Sequence, residues 1–216
     1  MNTFLWKVAC LLAFVPLTAP ACATAGPSGE TGNPVVKLVT ELGDITLEIY
    51  ESRARQSAGS FLQYVDGDFY QNAGFYRVVS PENDNGQPII SVIQGGLLTD
   101  VEPLSPVPLE TTKMTGILHQ DGVISLARGA PGSGSGAAFF ICIGAQPSLD
   151  FGGQRNADGL GFAAFGKVIE GMDIVRKIHG QNADGPSDSP YTEGQMLAKP
   201  VRILEAYRQG RSEPLK

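Results

Sequence analysis

Eight short runs, each bounded by glycine, proline or small polar residues, dominate this chain: Val36–Thr40, Ile45–Ile49, Phe75–Val79, Ile89–Gln94, Val123–Ala127, Ala138–Ile143, Phe162–Val168 and Val201–Ala206. They are too short for helices and rich in β-branched and aromatic residues, so they read as strands. The first two alternate apolar and polar residues around Glu41–Asp44, where Gly43 supplies a turn, and predict a hairpin with one buried face. An open sheet of that many strands exposes two unpaired edges; closure into an antiparallel barrel removes them. The 27 glycines and 15 prolines are scattered between the runs and form no repeat or low-complexity tract.

Helical period occurs in two places. After Ser57, Ala58, Phe61, Leu62 and Val65 fall on one face, and Gly67 stands where such a helix would stop. After Gly171, Ile174, Val175 and Ile178 share a face ahead of Gly180. The predicted fold class is therefore mainly β, a closed eight-stranded antiparallel barrel capped by two α-helices.

At 216 residues, 42% of them hydrophobic, the chain suits one globular domain. Its start has one early lysine, an apolar run from Val8 to Leu17 and then small residues, the layout of a secretory signal. The organisation read from this is a signal peptide over 1–25, a linker over 26–34, the folded domain over 35–208 and a tail over 209–216. Cleavage after Ala25 would give a periplasmic or secreted protein. The alternative cuts before Cys22 and acylates it as a lipoprotein. Cys142, inside the apolar FFICI, reads as a small buried hydrophobe. The net charge of −6 argues against nucleic acid as a partner, and no apolar run is long enough to span a bilayer.

Several motifs carry less than they suggest. Gly161–Lys167 has the spacing of a phosphate-binding loop but an interior of FAAF and Val168 in place of Ser or Thr, so it reads as a strand with Lys167 at an exposed turn. GAPGSGSG (Gly129–Gly136) reads as a loop whose backbone lies close to a ligand or turns tightly. His119 and His179 have no His or Cys neighbours at metal spacing and read as surface or loop residues, which weakens metal and Ser-His chemistry.

One residue resists the barrel reading. Gly74–Val79 is GFYRVV, an arginine inside an apolar strand. Such an arginine can snorkel to solvent or pair with an acid such as Glu48. Yet FYRVV is followed in order by IQGG (Ile93–Gly96), ISLAR (Ile124–Arg128), AAFFICIG (Ala137–Gly144), LDFGGQ (Leu149–Gln154) and FAAFGKVIEGMDIV (Phe162–Val175). In these motifs residues 35–206 resemble the cyclophilin family, peptidyl-prolyl cis-trans isomerases, and the whole chain resembles an exported bacterial type.

The resemblance implies a chemistry that needs an arginine. Rotating an X-Pro bond forfeits amide resonance, a barrier of about 18–20 kcal/mol. At the twisted transition state the prolyl nitrogen regains its lone pair and accepts a hydrogen bond that the planar amide does not, so a fixed donor beside it stabilises that state selectively. Arg77, always protonated with donors in a rigid fork, is the implied catalytic residue.

Gln94 matches the family glutamine that orients the arginine and bonds substrate backbone. Phe140 matches the floor of the proline pocket, Leu149 and Phe162 further walls, and Ala127 and Arg128 the segment that pairs with substrate backbone. Departures fall at Tyr76, where the family has His; at Ser91 and Val92, where it has Phe-Met; at Ala138, where it has Gln; and at Ser148, where it has Trp or Phe. These substrate-binding positions are mostly smaller or more polar, which predicts weak cyclosporin binding. Between arginine and glutamine, SPENDNGQPII (Ser80–Ile90) reads as an exposed loop at the rim, from which Ile89 or Ile90 could supply a missing wall.

The implied function is isomerisation of prolyl bonds in exported polypeptides by a monomer that needs no cofactor and has proline-containing chains as partners. The alternative is a cyclophilin-fold binding or chaperone module with weak or no catalysis.

Overall fold

The computed structural model describes residues 32–210. The expected signal peptide, Cys22 and most of the linker and tail lie outside them. Ten strands form: β1 (Val35–Thr40), β2 (Gly43–Ile49), β3 (Gly74–Val79), β4 (Val92–Gly96), β5 (Val107–Pro108), β6 (Val123–Leu126), β7 (Ser133–Gly134), β8 (Ala138–Cys142), β9 (Ala163–Glu170) and β10 (Met196–Arg208). Eight close into an antiparallel barrel in the order β1-β10-β3-β4-β8-β6-β9-β2. The expected opening hairpin is there, with Thr40 opposite Gly43. Asn33 and Pro34 are already tied to β2, through Glu48 Oε1 and the Ile49 N–H respectively.

The barrel is filled from one end by α1 (Arg55–Asp66). Its Phe61 ring lies 5.1–5.5 Å from those of Phe165, Tyr70 and Phe139, and Phe75 meets Phe139 edge-on. Such tilted and edge-to-face contacts suit the aromatic quadrupole. A second helix, α3 (Met172–His179), buries Val175 and Ile178 and lays Ile174 over Gly43.

The sequence reading needs correction in several places. A third helix, the single turn α2 (Thr112–Thr115), is present, and at four residues it is too short to show periodicity. β5 and β7 pair in a small separate sheet, so part of the glycine-rich 129–136 segment is a strand. Gly136 in that segment gives close approach not to a ligand but to α1: a β-carbon there would meet Tyr64 at 2.6 Å and the Ser60 carbonyl at 3.0 Å. Lys167 is exposed in the middle of β9 and not at a turn. Ile89 and Ile90 precede β4 and are not part of it.

Helix α1 also begins earlier than Ser57 implied. Ser57 is its third residue, and Glu110, 53 positions away, accepts from the Ser57 N–H at 2.7 Å and hydroxyl at 2.8 Å. A carboxylate from a distant loop thus takes the cap role normally filled by a neighbouring side chain.

Candidate active site

Arg77 owes its outward direction to one extra residue. Along β3 and β4 the cross-strand partners run Phe75–Gly95, then Arg77–Gln94, Val78–Ile93 and Val79–Val92, so Tyr76 is bulged out of register. Side chains alternate faces along a strand, and without the bulge Arg77 would share the inward face of Phe75. With it, Phe75, Val78 and Ile93 enter the barrel core, while Arg77, Gln94, Val79 and Val92 face the outside. The next strands continue the row, Gln94 opposite Phe140 and Phe140 opposite Ser125.

Around this row lies a second apolar cluster, separate from the barrel core: Val79, Ile90, Val92, Phe140, Cys142 and Leu149, with Ala127 and Phe162 packed against it. Phe162 stands edge-on to Phe140 at 5.3 Å. Ile90, not Ile89, supplies a wall; Ile89 is 47% exposed. Burial raises the Cys142 thiol far above its ordinary pKa, which keeps it protonated and inert.

The guanidinium of Arg77 is held on its edges. Nη1 donates to Gln94 Oε1 at 2.9 Å, and Nε and Nη2 both donate to Gln195 Oε1 at 2.9 and 2.6 Å. Each terminal nitrogen keeps one further N–H for a substrate. Gln94 Nε2 donates to the Tyr76 hydroxyl at 3.1 Å, which fixes the amide so that its oxygen faces Arg77. Gln195 is fully buried, and its Nε2 donates to the Asn83 carbonyl at 2.8 Å. Glu48 is bonded to Asn33 instead of Arg77.

Gln195 is a residue that sequence reasoning missed. It lies 118 positions from Arg77 in an irregular stretch before β10, where no local pattern marks it.

The other positions separate by geometry. Ser91 stands apart from the pocket: it lies one residue before Val92, on the opposite face, and its hydroxyl meets His179 Nε2 at 3.1 Å. Ala138 shares the outward face with Phe140, and its carbonyl accepts from the Ala127 N–H. Arg128 is paired with Asp158 through two contacts of 2.7 Å, and its guanidinium carbon lies 5.4 Å from the Phe162 ring centre. Hydrogen bonds from Arg128, then from the Leu160 N–H, lower the pKa of Asp158 to about 2. Ser148, half-buried, precedes Leu149 in a short 3-10 turn over Pro147–Leu149.

His119 lies in a loop but not at the surface, since it is fully buried. Its ring stacks on Phe140 at 5.8 Å and 16°, with Nδ1 2.7 Å from Asp150 Oδ1 and Nε2 3.1 Å from Ser125 Oγ. The Asp-His-Ser order resembles a hydrolase triad, but Ser125 is also fully buried and no substrate reaches it. The arrangement braces the Phe140 ring. His179, at the end of α3, lies 2.9 Å from the Val79 carbonyl.

The 80–90 loop is more ordered than a polar rim suggests. Asp84 bonds the Gly86 and Ile90 N–H groups and meets Arg155 at 2.7 and 2.8 Å, both side chains being at most 2% exposed. Burial alone would raise the Asp84 pKa, but the hydrogen bonds from Arg155 and the two backbone groups outweigh it and hold it below the ordinary carboxylate value.

A family model described as "Cyclophilin type peptidyl-prolyl cis-trans isomerase/CLD" matches residues 35–207. The chain belongs to the cyclophilin family. Among curated relatives it is 31% identical to peptidyl-prolyl cis-trans isomerase A of Dickeya dadantii over 91% of this chain and 95% of that one. It is 30% identical to a peptidyl-prolyl cis-trans isomerase of Acinetobacter baylyi over 80% and 84%. A cyclophilin-type isomerase of Cryptosporidium parvum superposes with a TM-score of 0.60 at 19% identity, covering 84% of this chain and 99% of that one, which supports the fold. Among the described residues, no group of His, Cys, Asp or Glu could hold a metal ion, and no helix is long and apolar enough to cross a membrane.

In this cyclophilin, Asp84→Ala leaves Arg155 buried without its counter-charge, and a loss of about 3–5 kcal/mol is expected in chemical denaturation at pH 7. Because the folded pKa of Asp84 is lowered, its stabilisation is complete above the unfolded value of about 3.9 and is lost as pH falls through the folded value. Between pH 5 and 2 the melting temperature of Asp84→Asn should therefore fall less steeply than that of the parent. Parallel curves would show that the pair contributes nothing.

Proposed function

We propose that this protein is an active monomeric peptidyl-prolyl cis-trans isomerase that turns X-Pro bonds in exported polypeptides and so assists their folding. The observation that carries the reading is Arg77, fixed by Gln94 and Gln195 beside the Phe140 pocket with a free N–H on each terminal nitrogen.

The prolyl ring would sit on Phe140 among Leu149, Val92, Ile90 and Phe162. Arg77 would then face the prolyl nitrogen as the amide twists. Because both glutamines hold the guanidinium before substrate arrives, it need not reorganise during the reaction, and a preorganised donor in a partly desolvated site gains most from developing lone-pair density. No heavy-atom bond is made or broken, so no acid, base or cofactor is required. The names of the relatives favour this reading over a non-catalytic binding module.

Export rests on the amino-acid pattern of residues 1–25, and soluble release after Ala25 is preferred to acylation at Cys22. Weak cyclosporin binding is proposed from Ser148, which offers neither aromatic surface nor an indole donor, although Ile90 restores part of the apolar wall.

Three measurements test these readings. The domain from Asn33 onward should accelerate isomerisation of an Ala-Pro or Leu-Pro peptide at a rate nearly flat from pH 6 to 8, since arginine does not titrate there. Arg77→Ala should cost about 2.7–4 kcal/mol of barrier lowering while the fold persists; equal rates would remove Arg77 from the mechanism. Mass spectrometry of protein from the envelope of its native host should find a chain beginning near Gly26, whereas a lipidated Cys22 would overturn soluble export. Cyclosporin inhibition should tighten in Ser148→Trp by up to about thirtyfold, the equivalent of 2 kcal/mol for one well-packed anchor. Nanomolar inhibition of the unaltered protein would show an intact drug site.

A further inference from the structure

We propose that Tyr191 is a positioning residue for Arg77, an aromatic plate that keeps the guanidinium in the plane set by the two glutamines; the inference rests on the isomerase reading of the site. Tyr191 lies between α3 and β10, four residues before Gln195, and the Arg77 guanidinium carbon is 5.1 Å from the centre of its ring. Gln94 and Gln195 bind the guanidinium at its edges. Edge bonds set where a planar group sits but resist poorly its tipping out of plane, and a ring packed against the group opposes that motion.

The plate is itself fastened. The Tyr191 hydroxyl accepts from Arg155 Nη2 at 2.8 Å, while the same guanidinium grips Asp84 and donates to the Pro88 carbonyl. Asn85 donates to the Tyr191 and Glu193 carbonyls, and Asn83 to the Gly194 carbonyl. These bonds staple the 80–90 loop to the turn that carries Tyr191 and Gln195. A tyrosine 47% exposed in a stretch of Asp, Ser, Gly and Pro is thereby held against two guanidinium groups, that of Arg77 and that of Arg155, whose central carbon lies 5.6 Å from the ring centre.

The test compares the parent, Tyr191→Phe and Tyr191→Ala, each also with Arg77→Ala. Tyr191→Ala should lower kcat about fivefold, the loss expected of a cation–π contact at a half-exposed site, with KM within about twofold. Tyr191→Phe keeps the ring and should retain at least about half of kcat. With Arg77 already Ala, Tyr191→Ala should cost nothing more, because its effect passes through the missing side chain. Independently of turnover, the NMR signal of the Arg77 Nε–H should lose its ring-current shift in Tyr191→Ala and keep it in Tyr191→Phe. An unchanged kcat, an equal fold-loss in the Arg77→Ala background, or an unmoved resonance would overturn the proposal. If the parent turned over no prolyl peptide, the isomerase reading would fall, while the resonance would still decide whether Tyr191 holds Arg77.

Discussion

The bulge at Tyr76 decides which way an arginine faces, and the chemistry of the site depends on it. β3 has to supply Phe75 and Val78 to the barrel core and Arg77 and Val79 to the outer face. Strict alternation cannot do that, because Phe75 and Arg77 are two residues apart and would share a face. One unpaired residue resolves the conflict, and Tyr76 is not idle there: its hydroxyl holds the Gln94 amide that in turn accepts from Arg77. An arginine turned into this barrel would meet Phe139, Phe61 and Phe165, where an uncompensated charge is prohibitively costly.

From that single outward arginine the polar part of the site extends through segments distant in the chain. Gln195 takes two of the Arg77 donors and is itself fixed by the Asn83 carbonyl, so the insertion between β3 and β4 supports the residue that supports the arginine. Arg155 and Asp84, both buried, join this loop to Tyr191. The arrangement is a connected set of charge-assisted bonds in a desolvated place, where each satisfied group rigidifies its neighbours and each orphan would be costly. An insertion that looks like surface decoration is the scaffold on one side of the site.

The apolar side is braced differently. Phe140 faces outward from β8 and would be a mobile ring on a barrel surface, but the His119 ring is stacked behind it and fixed by Asp150 and Ser125, while Phe162 stands at its edge with Arg128 beyond. A buried histidine with both nitrogens engaged costs little and cannot rotate. That role explains why a histidine with no metal-spaced partner is buried at all.

The amino-acid sequence by itself determined the eight barrel strands to within a few residues at their ends, the faces of α1 and α3, the opening hairpin and the family, because alternation, helical period and contiguous motifs such as FYRVV, IQGG and FFI are local properties of the chain. It also brought Arg77, Gln94, Phe140, Leu149 and Phe162 together by motif. Tertiary structure alone decided the rest. Ser91 and Val92 face opposite sides because they are consecutive on extended chain, and it is Val92 that faces the apolar cluster because it pairs with Val79; Ile90 became a wall because Asp84 folds its loop inward. Gln195, Tyr191 and Glu110 act across 118, 114 and 53 positions, and His119 across the fold from Asp150. Such partners are chosen by which loops the closed barrel brings side by side, and no local periodicity records that choice.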